Sequence, residues 1–246
     1  MTDLWYQAEG QGSDVMLLHS ALSDSRSWEP VLGSIGQGHR VIRYDARGFG
    51  RSPDPTSEFD AIGDAVAVMD ATGARPAHLV GNSMGAAVAR AIAVLHPNRV
   101  RSLTLVGPGF PIDAPPKDSV RLVMLWREAR ARGDVETALA AARTLWISGS
   151  KQEKRLRTLL VRQRPDLPDS VAPPETIQQV ERISVPVLIL VGEQDSPIVV
   201  LASEVLSRRI PNAVLRVIPN ARHHPHEDQP DEFAQIVSNF LAEVEG

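Results

Sequence analysis

A short apolar run, His78 to Val80, passes directly into Gly81-Asn82-Ser83-Met84-Gly85 and then into the Ala-rich stretch Met84 to Leu95. No other feature constrains the fold of this chain as tightly. A strand that becomes a helix within five residues must turn sharply, and the turn leaves its middle residue at the tip. A bulky side chain at position 81 or 85 would clash in such a turn, and both positions are glycine. The pattern is G-x-S-x-G. It presents the Ser83 hydroxyl at a helix N-terminus, where the helix dipole favours negative charge. Ser83 is therefore the candidate nucleophile.

The rest of the chain repeats the same alternation. Short apolar runs at Val15–Leu18, Val41–Tyr44, Leu103–Val106, Val187–Val191 and Val214–Ile218 read as strands. They are Leu-rich and β-branched rather than alternating, which suits parallel strands covered on both faces. Between them lie helical patterns. Phe59 to Thr72 stops at Gly73, a natural C-terminal cap. Phe233, Ile236, Val237, Phe240, Leu241 and Val244 form one helix face. Strands alternating with helices predict an α/β fold, a mostly parallel central sheet flanked by helices.

One stretch breaks the pattern. Residues 111–183 contain no convincing strand, and three helical stripes cover Ser119–Arg132, Asp134–Ile147 and Lys151–Arg164, followed by Pro165, Pro168, Pro173 and Pro174. The expectation is a helical lid over the C-terminal strand edge, where ligands of open α/β sheets bind. Residues 1–110 and 184–246 would then form the core domain and 111–183 the cap. From Lys117 to Arg164 there are twelve Lys or Arg against five Asp or Glu. Solvated helix faces account for most of this, although inward arginines could attract an anionic substrate. Trp126 and Trp146 lie on the apolar side of these helices, as pocket lining or as core.

Composition narrows the partners. The net charge of −4 gives no basic surface for nucleic acid, and no apolar run is long enough for a membrane span. There is no cysteine, which excludes disulfides and thiolate metal sites and suits the cytoplasm. Three histidines, His223, His224 and His226, crowd one segment, but without cysteine a metal would need carboxylates from afar. No metal or cofactor is expected. A small-molecule substrate is, and a homo-oligomer stays open.

Several motifs in order carry a resemblance. Leu17-Leu-His-Ser-Ala-Leu-Ser-Asp-Ser-Arg-Ser-Trp28 resembles the oxyanion loop of the α/β-hydrolase family. Arg43-Tyr-Asp-Ala-Arg-Gly-Phe-Gly-Arg-Ser52 resembles its D-x-R-G-x-G-x-S loop, Gly81 to Gly85 its nucleophile elbow, and Val185 to Asp195 the strand that delivers its acid. The resemblance implies a Ser–acid–His chain order. Asp195 is the acid by that order, with Glu193 and Asp113 as rivals. Counting back from Pro225 and Pro230 in the H-x-P…acid-x-P pattern selects His223 as the base and puts Asp228 in the acidic slot.

His224 precedes proline and is biased towards an extended backbone that points it elsewhere. His226 is expected to pack or face solvent. Arg222 stands where the family often has glycine and is expected to face solvent. By resemblance the oxyanion donors are the amides of Ala21 and Met84, although Ser20 replaces the usual glycine, as it does in enol-lactone hydrolases of the family. Asp45 and Arg47 are expected to pair in a structural loop in which Gly48 and Gly50 allow positive φ.

These residues imply a serine hydrolase of a small ester or lactone, acting through an acyl-enzyme. The alternatives are carbon–carbon bond hydrolysis or perhydrolysis with the same triad, and a ligand receptor with slow turnover.

Overall fold

The computed structural model describes residues 2–74, 76–162 and 175–246. Seven strands form one sheet in the order β1-β3-β2-β4-β5-β6-β7. They are β1 (Tyr6–Gly10), β2 (Ser13–Leu18), β3 (His39–Tyr44), β4 (Ala77–Asn82), β5 (Val100–Val106), β6 (Val187–Gly192) and β7 (Ala213–Ile218). All neighbours pair in parallel except β1, which runs antiparallel to β3 with Tyr6 opposite Tyr44.

The apolar runs are continuous because both faces are covered. In β4, Leu79 joins the core under α2 (Ala61–Thr72) and α3 (Met84–Leu95), while the adjacent Val80 joins the core on the opposite face with Trp28 and Phe233. In β6, Ile189 faces the first core and Leu188 and Leu190 face the second. Successive strand side chains point to opposite faces, so a strand buried on both faces loses its polar alternation.

The edges depart from the expectation. β1 has the sequence Tyr-Gln-Ala-Glu-Gly and is largely exposed, so it carries no apolar signal. β7 is the other edge, and its Val214 and Val217 are half exposed rather than buried.

The helix boundaries follow local chemistry. Asp60 caps α2 by accepting from the Ile62 amide at 2.9 Å, and Gly73 closes it at φ +74°. One turn, α1 (Leu32–Ile35), precedes β3. Three helices occupy the stretch between β5 and β6: α4 (Lys117–Ala131), α5 (Val135–Leu145) and α6 (Ser150–Arg162). Their shared core contains Trp126, Ala129, Leu139, Ala142, Leu156 and Leu160. Leu22 and Phe49 belong to the same cluster, from the loops that follow β2 and β3. The three helices thus stand over the C-terminal ends of those strands. Residues 163–174, with the four prolines expected to lead back to the sheet, lie outside the described residues.

A turn, α7 (Glu175–Gln178), precedes β6. Helix α8 (Pro197–Arg209), to which the apolar pattern assigned no element, starts on Pro197 and buries Val199, Ala202, Ser203 and Leu206. The chain ends in the short α9 (Pro225–Asp228) and in α10 (Pro230–Glu245), which buries Phe233, Ala234, Val237 and Leu241.

Candidate active site

Ser83 sits between β4 and α3 at φ +54°, ψ −106°. Such a backbone costs a non-glycine residue about 1–3 kcal/mol, so its surroundings must impose it. They do. The Ser83 amide donates to the Val106 carbonyl at 2.8 Å, and the Ser83 carbonyl accepts from Ala87 at 3.1 Å. A Cβ on Gly81 would strike the Gly85 carbonyl, and one on Gly85 would strike the Leu18 carbonyl. Both glycines are therefore required by close backbone approach.

Asp195 follows β6, and His223 follows β7. Nδ1 of His223 lies 2.8 Å from Oδ2 of Asp195, and both side chains are almost wholly buried. The other carboxylate oxygen, Oδ1, accepts from the Ser196 amide at 2.7 Å. A carboxylate oxygen accepts in such a contact, so Nδ1 carries the hydrogen that points at Asp195. The side chain of Asn82, next to Ser83, donates to the carbonyls of Val106 (3.1 Å) and His223 (3.0 Å). The elbow and the histidine loop are thereby tied together.

The rival acids are elsewhere. Glu193 is exposed and accepts from the Asn220 amide at 3.1 Å, and Asp113 is exposed ahead of α4.

Of the other members of the segment, His224 points away from Asp195 and His226 packs, while Arg222 departs from expectation. His224 is buried, and its Nε2 lies 2.9 Å from the Ser20 hydroxyl. His226 is fully buried and stacks on Trp28, ring centroids 4.1 Å apart. Burial holds both imidazoles well below their ordinary pKa, with the neighbouring His223 and Arg155 adding to the effect. Arg222 does not face open solvent. Its guanidinium donates to the carbonyls of Arg143, Thr144 and Ile147 at 2.9, 2.5 and 2.6 Å, around the C-terminus of α5. Asp228 accepts from the Arg222 amide and from Ser148, both at 2.8 Å, and from Gln152 at 2.9 Å.

The loop after β3 needs a correction. Asp45 pairs with Arg51, not with Arg47. Its Oδ2 accepts from Arg51 Nε at 2.8 Å, and its Oδ1 accepts from the Ser25 amide at 2.9 Å. Arg47 bridges Asp64 (2.9 Å) and Asp3 (3.0 Å) instead. Gly48 and Gly50 do adopt positive φ, +82° and +51°.

Two amides, one in the elbow and one in the loop after the neighbouring strand β2, have no hydrogen-bond partner among the described residues. One is Met84, the first residue of α3, which has no carbonyl four residues back within its helix. The other is Ala21. Its neighbours are spent: the Leu22 amide donates to Ser20 Oγ at 3.2 Å and the Ser23 amide to the Ser20 carbonyl at 3.2 Å. His19 props this loop. Its Nε2 accepts from the Ala46 amide at 2.9 Å, so Nδ1 carries the hydrogen and donates to the Ser20 carbonyl at 2.8 Å.

Trp146 lies 6.0 Å from the His223 ring, and Trp126 meets Trp146 edge-on at 5.3 Å. Ala21, Met84 and Trp146 pack against the apolar cluster of α4, α5 and α6. Four arginines of these helices are engaged elsewhere. Arg155 pairs with Glu227, Arg143 with Glu153 and Arg157 with Glu136, while Arg162 donates to the Gly50 and Ser52 carbonyls. Among the described residues, no group of three or more histidine or acidic side chains is placed to hold a metal ion, and no helix is long and apolar enough to cross a membrane.

The model of the alpha/beta hydrolase family matches residues 15–236. The chain belongs to the α/β-hydrolase family. A 2-hydroxymuconate semialdehyde hydrolase of Pseudomonas putida is 32% identical over 96% of this chain and 90% of its own length. A pimeloyl-[acyl-carrier protein] methyl ester esterase of Aliivibrio salmonicida (strain LFI1238) is 26% identical over 98% of this chain and 96% of its own length. The solved structure of MenH from S. aureus shares the fold, with a TM-score of 0.80 at 22% identity over 98% of this chain and 99% of that one. This α/β hydrolase is therefore an enzyme of the hydrolase class.

Proposed function

We propose that this α/β hydrolase cleaves a small ester or lactone through a Ser83 acyl-enzyme. The observation that carries the proposal is the 2.8 Å contact between His223 Nδ1 and Asp195 Oδ2, beside a serine held at positive φ. Nε2 of His223 takes the Ser83 proton as Oγ attacks the carbonyl carbon. The amides of Ala21 and Met84 hold the resulting oxyanion. Collapse breaks the bond to the alkoxide, which leaves with the proton from Nε2. Water then attacks the acyl-enzyme, giving its proton to Nε2, and Ser83 regains a proton as the acid departs. Asp195 stays ionised and stabilises the imidazolium.

Residues 111–183 act as a cap in this scheme, and Trp126 and Trp146 line the acyl side of the site. Arg155, Arg143 and Arg157 are committed to carboxylates, and Trp126 and Trp146 belong to the apolar lid cluster, so a neutral, apolar acyl group suits that wall. Ser83→Ala should lower turnover of p-nitrophenyl butyrate by at least about 10³-fold. Wild-type turnover in that variant would refute the proposal.

A second reading has one specific support, the 32% identity to a 2-hydroxymuconate semialdehyde hydrolase. On that reading the same residues hydrolyse a carbon–carbon bond of a dienoic diketone. Preferential turnover of such a diketone over the butyrate ester would favour it.

A further inference from the structure

Ser20 is fully buried, and its hydroxyl has three neighbours within hydrogen-bond distance. They are the Leu22 amide at 3.2 Å, Ser23 Oγ at 3.0 Å and His224 Nε2 at 2.9 Å. A hydroxyl donates one hydrogen and accepts two, so three partners exhaust it. The Leu22 N–H takes one lone pair. His224 and Ser23 share the remaining lone pair and the hydrogen, and either tautomer of His224 completes the link. The serine rotamer is therefore fixed from outside its own loop, by a residue 204 positions away in sequence.

The consequence falls on the amide between these anchors. With Leu22 N–H held by Ser20 Oγ and Ser23 N–H held by the Ser20 carbonyl, only the Ala21 N–H is left free to point out of the turn. Without a hydrogen-bond partner at His224, the Ser20 side chain can rotate and release the Leu22 amide. The turn can then relax, and the Ala21 donor moves with it. His224 is also the residue next to the proposed base, and the two rings meet edge-on with centroids 5.4 Å apart. One short segment thus touches both halves of the machinery.

Building on the acyl-enzyme mechanism proposed above, we infer that His224 is a positioning residue: through the Ser20 hydroxyl it sets the loop whose Ala21 amide receives the oxyanion. It touches no reacting atom. Its work is to hold a donor in place, and a donor displaced by a fraction of an ångström loses much of its value in the transition state.

A double-mutant cycle on His224→Phe and Ser20→Ala tests the inference, with p-nitrophenyl butyrate as substrate and Ser83→Ala run in parallel. Phe keeps the ring volume and removes the nitrogen. Each single variant should lower kcat about 10- to 100-fold with KM changed less than about 3-fold. The double variant should be no worse than the poorer single one, because both break the same link. The apparent pKa of the kcat profile should stay at its wild-type position, since His223 keeps Asp195. His224→Gln, which restores a polar partner, should recover part of the rate. It also carries the test if the Phe variant fails to fold.

Costs that multiply in the double variant, an unchanged kcat in either single variant, or a displaced pH profile would overturn the inference. If Ser83→Ala turns over normally, the serine mechanism itself has failed. If Ser83→Ala is dead while the other costs multiply, only the role of His224 has.

Discussion

Nδ1 of His223 and Oδ2 of Asp195 lie 2.8 Å apart beneath a glycine that leaves room for both. That glycine is Gly107, at φ +51°. A Cβ there would stand 3.1 Å from Nδ1 and 3.3 Å from Oδ2. Gly107→Ala should therefore push the pair apart as well as strain the backbone. The expected result is a fall in kcat of about 10-fold or more, with a stability loss of about 1–3 kcal/mol, read from steady-state kinetics and urea melts. An alanine variant with full kcat would show that the pair tolerates displacement.

The Arg222 guanidinium satisfies carbonyls that the end of α5 leaves orphaned. Arg222→Ala should cost about 1–2 kcal/mol. Hydrogen exchange should quicken at the C-terminal turn of α5 before it quickens in the sheet. Uniform quickening, or none, would contradict a local cap.

Arg155 of α6 makes two contacts to Glu227 of α9, at 2.9 and 2.5 Å, and both side chains are largely buried. Removing one partner strands the other. Glu227→Gln should therefore destabilise by about 3–5 kcal/mol, and Arg155→Met combined with Glu227→Leu should cost distinctly less. Chemical denaturation of the three proteins checks the order.

His226 has neither ring nitrogen hydrogen-bonded, although it is fully buried against Trp28. Its depressed pKa means that the unfolded chain binds a proton more readily than the folded one. Stability from this group is complete above the ordinary histidine pKa of about 6.5 and declines as the pH falls below it. His224 acts in the same direction. His226→Phe should keep the stacking, remove two unpaired polar atoms and raise stability by about 1–2 kcal/mol at pH 7. Its melting temperature should also fall less steeply between pH 6.5 and 5. A steeper fall would mean that the histidine is protonated in the fold.

The central strands and the elbow were legible because their causes are local. Strands covered on both faces read as unbroken apolar runs, and Gly81 and Gly85 mark a turn that only small residues permit. The placement of Ser83 and Asp195 at one sheet edge follows from parallel strands, whose C-terminal ends all lie together. β1 was silent because an exposed edge strand buries little. Helix α8 was readable from Pro197 and the spacing of Val199, Ala202 and Leu206.

By itself the sequence determined an α/β hydrolase with a serine at its elbow, because each step depends on residues adjacent in the chain. The tertiary structure alone decided which side chains pair across it. Asp45 takes Arg51 rather than Arg47, Arg222 turns to α5, and Arg143, Arg155 and Arg157 find carboxylates. His224 reaches Ser20 across 204 positions. Long polar side chains have many rotamers and several partners within reach, and only the packing of distant backbone segments selects among them.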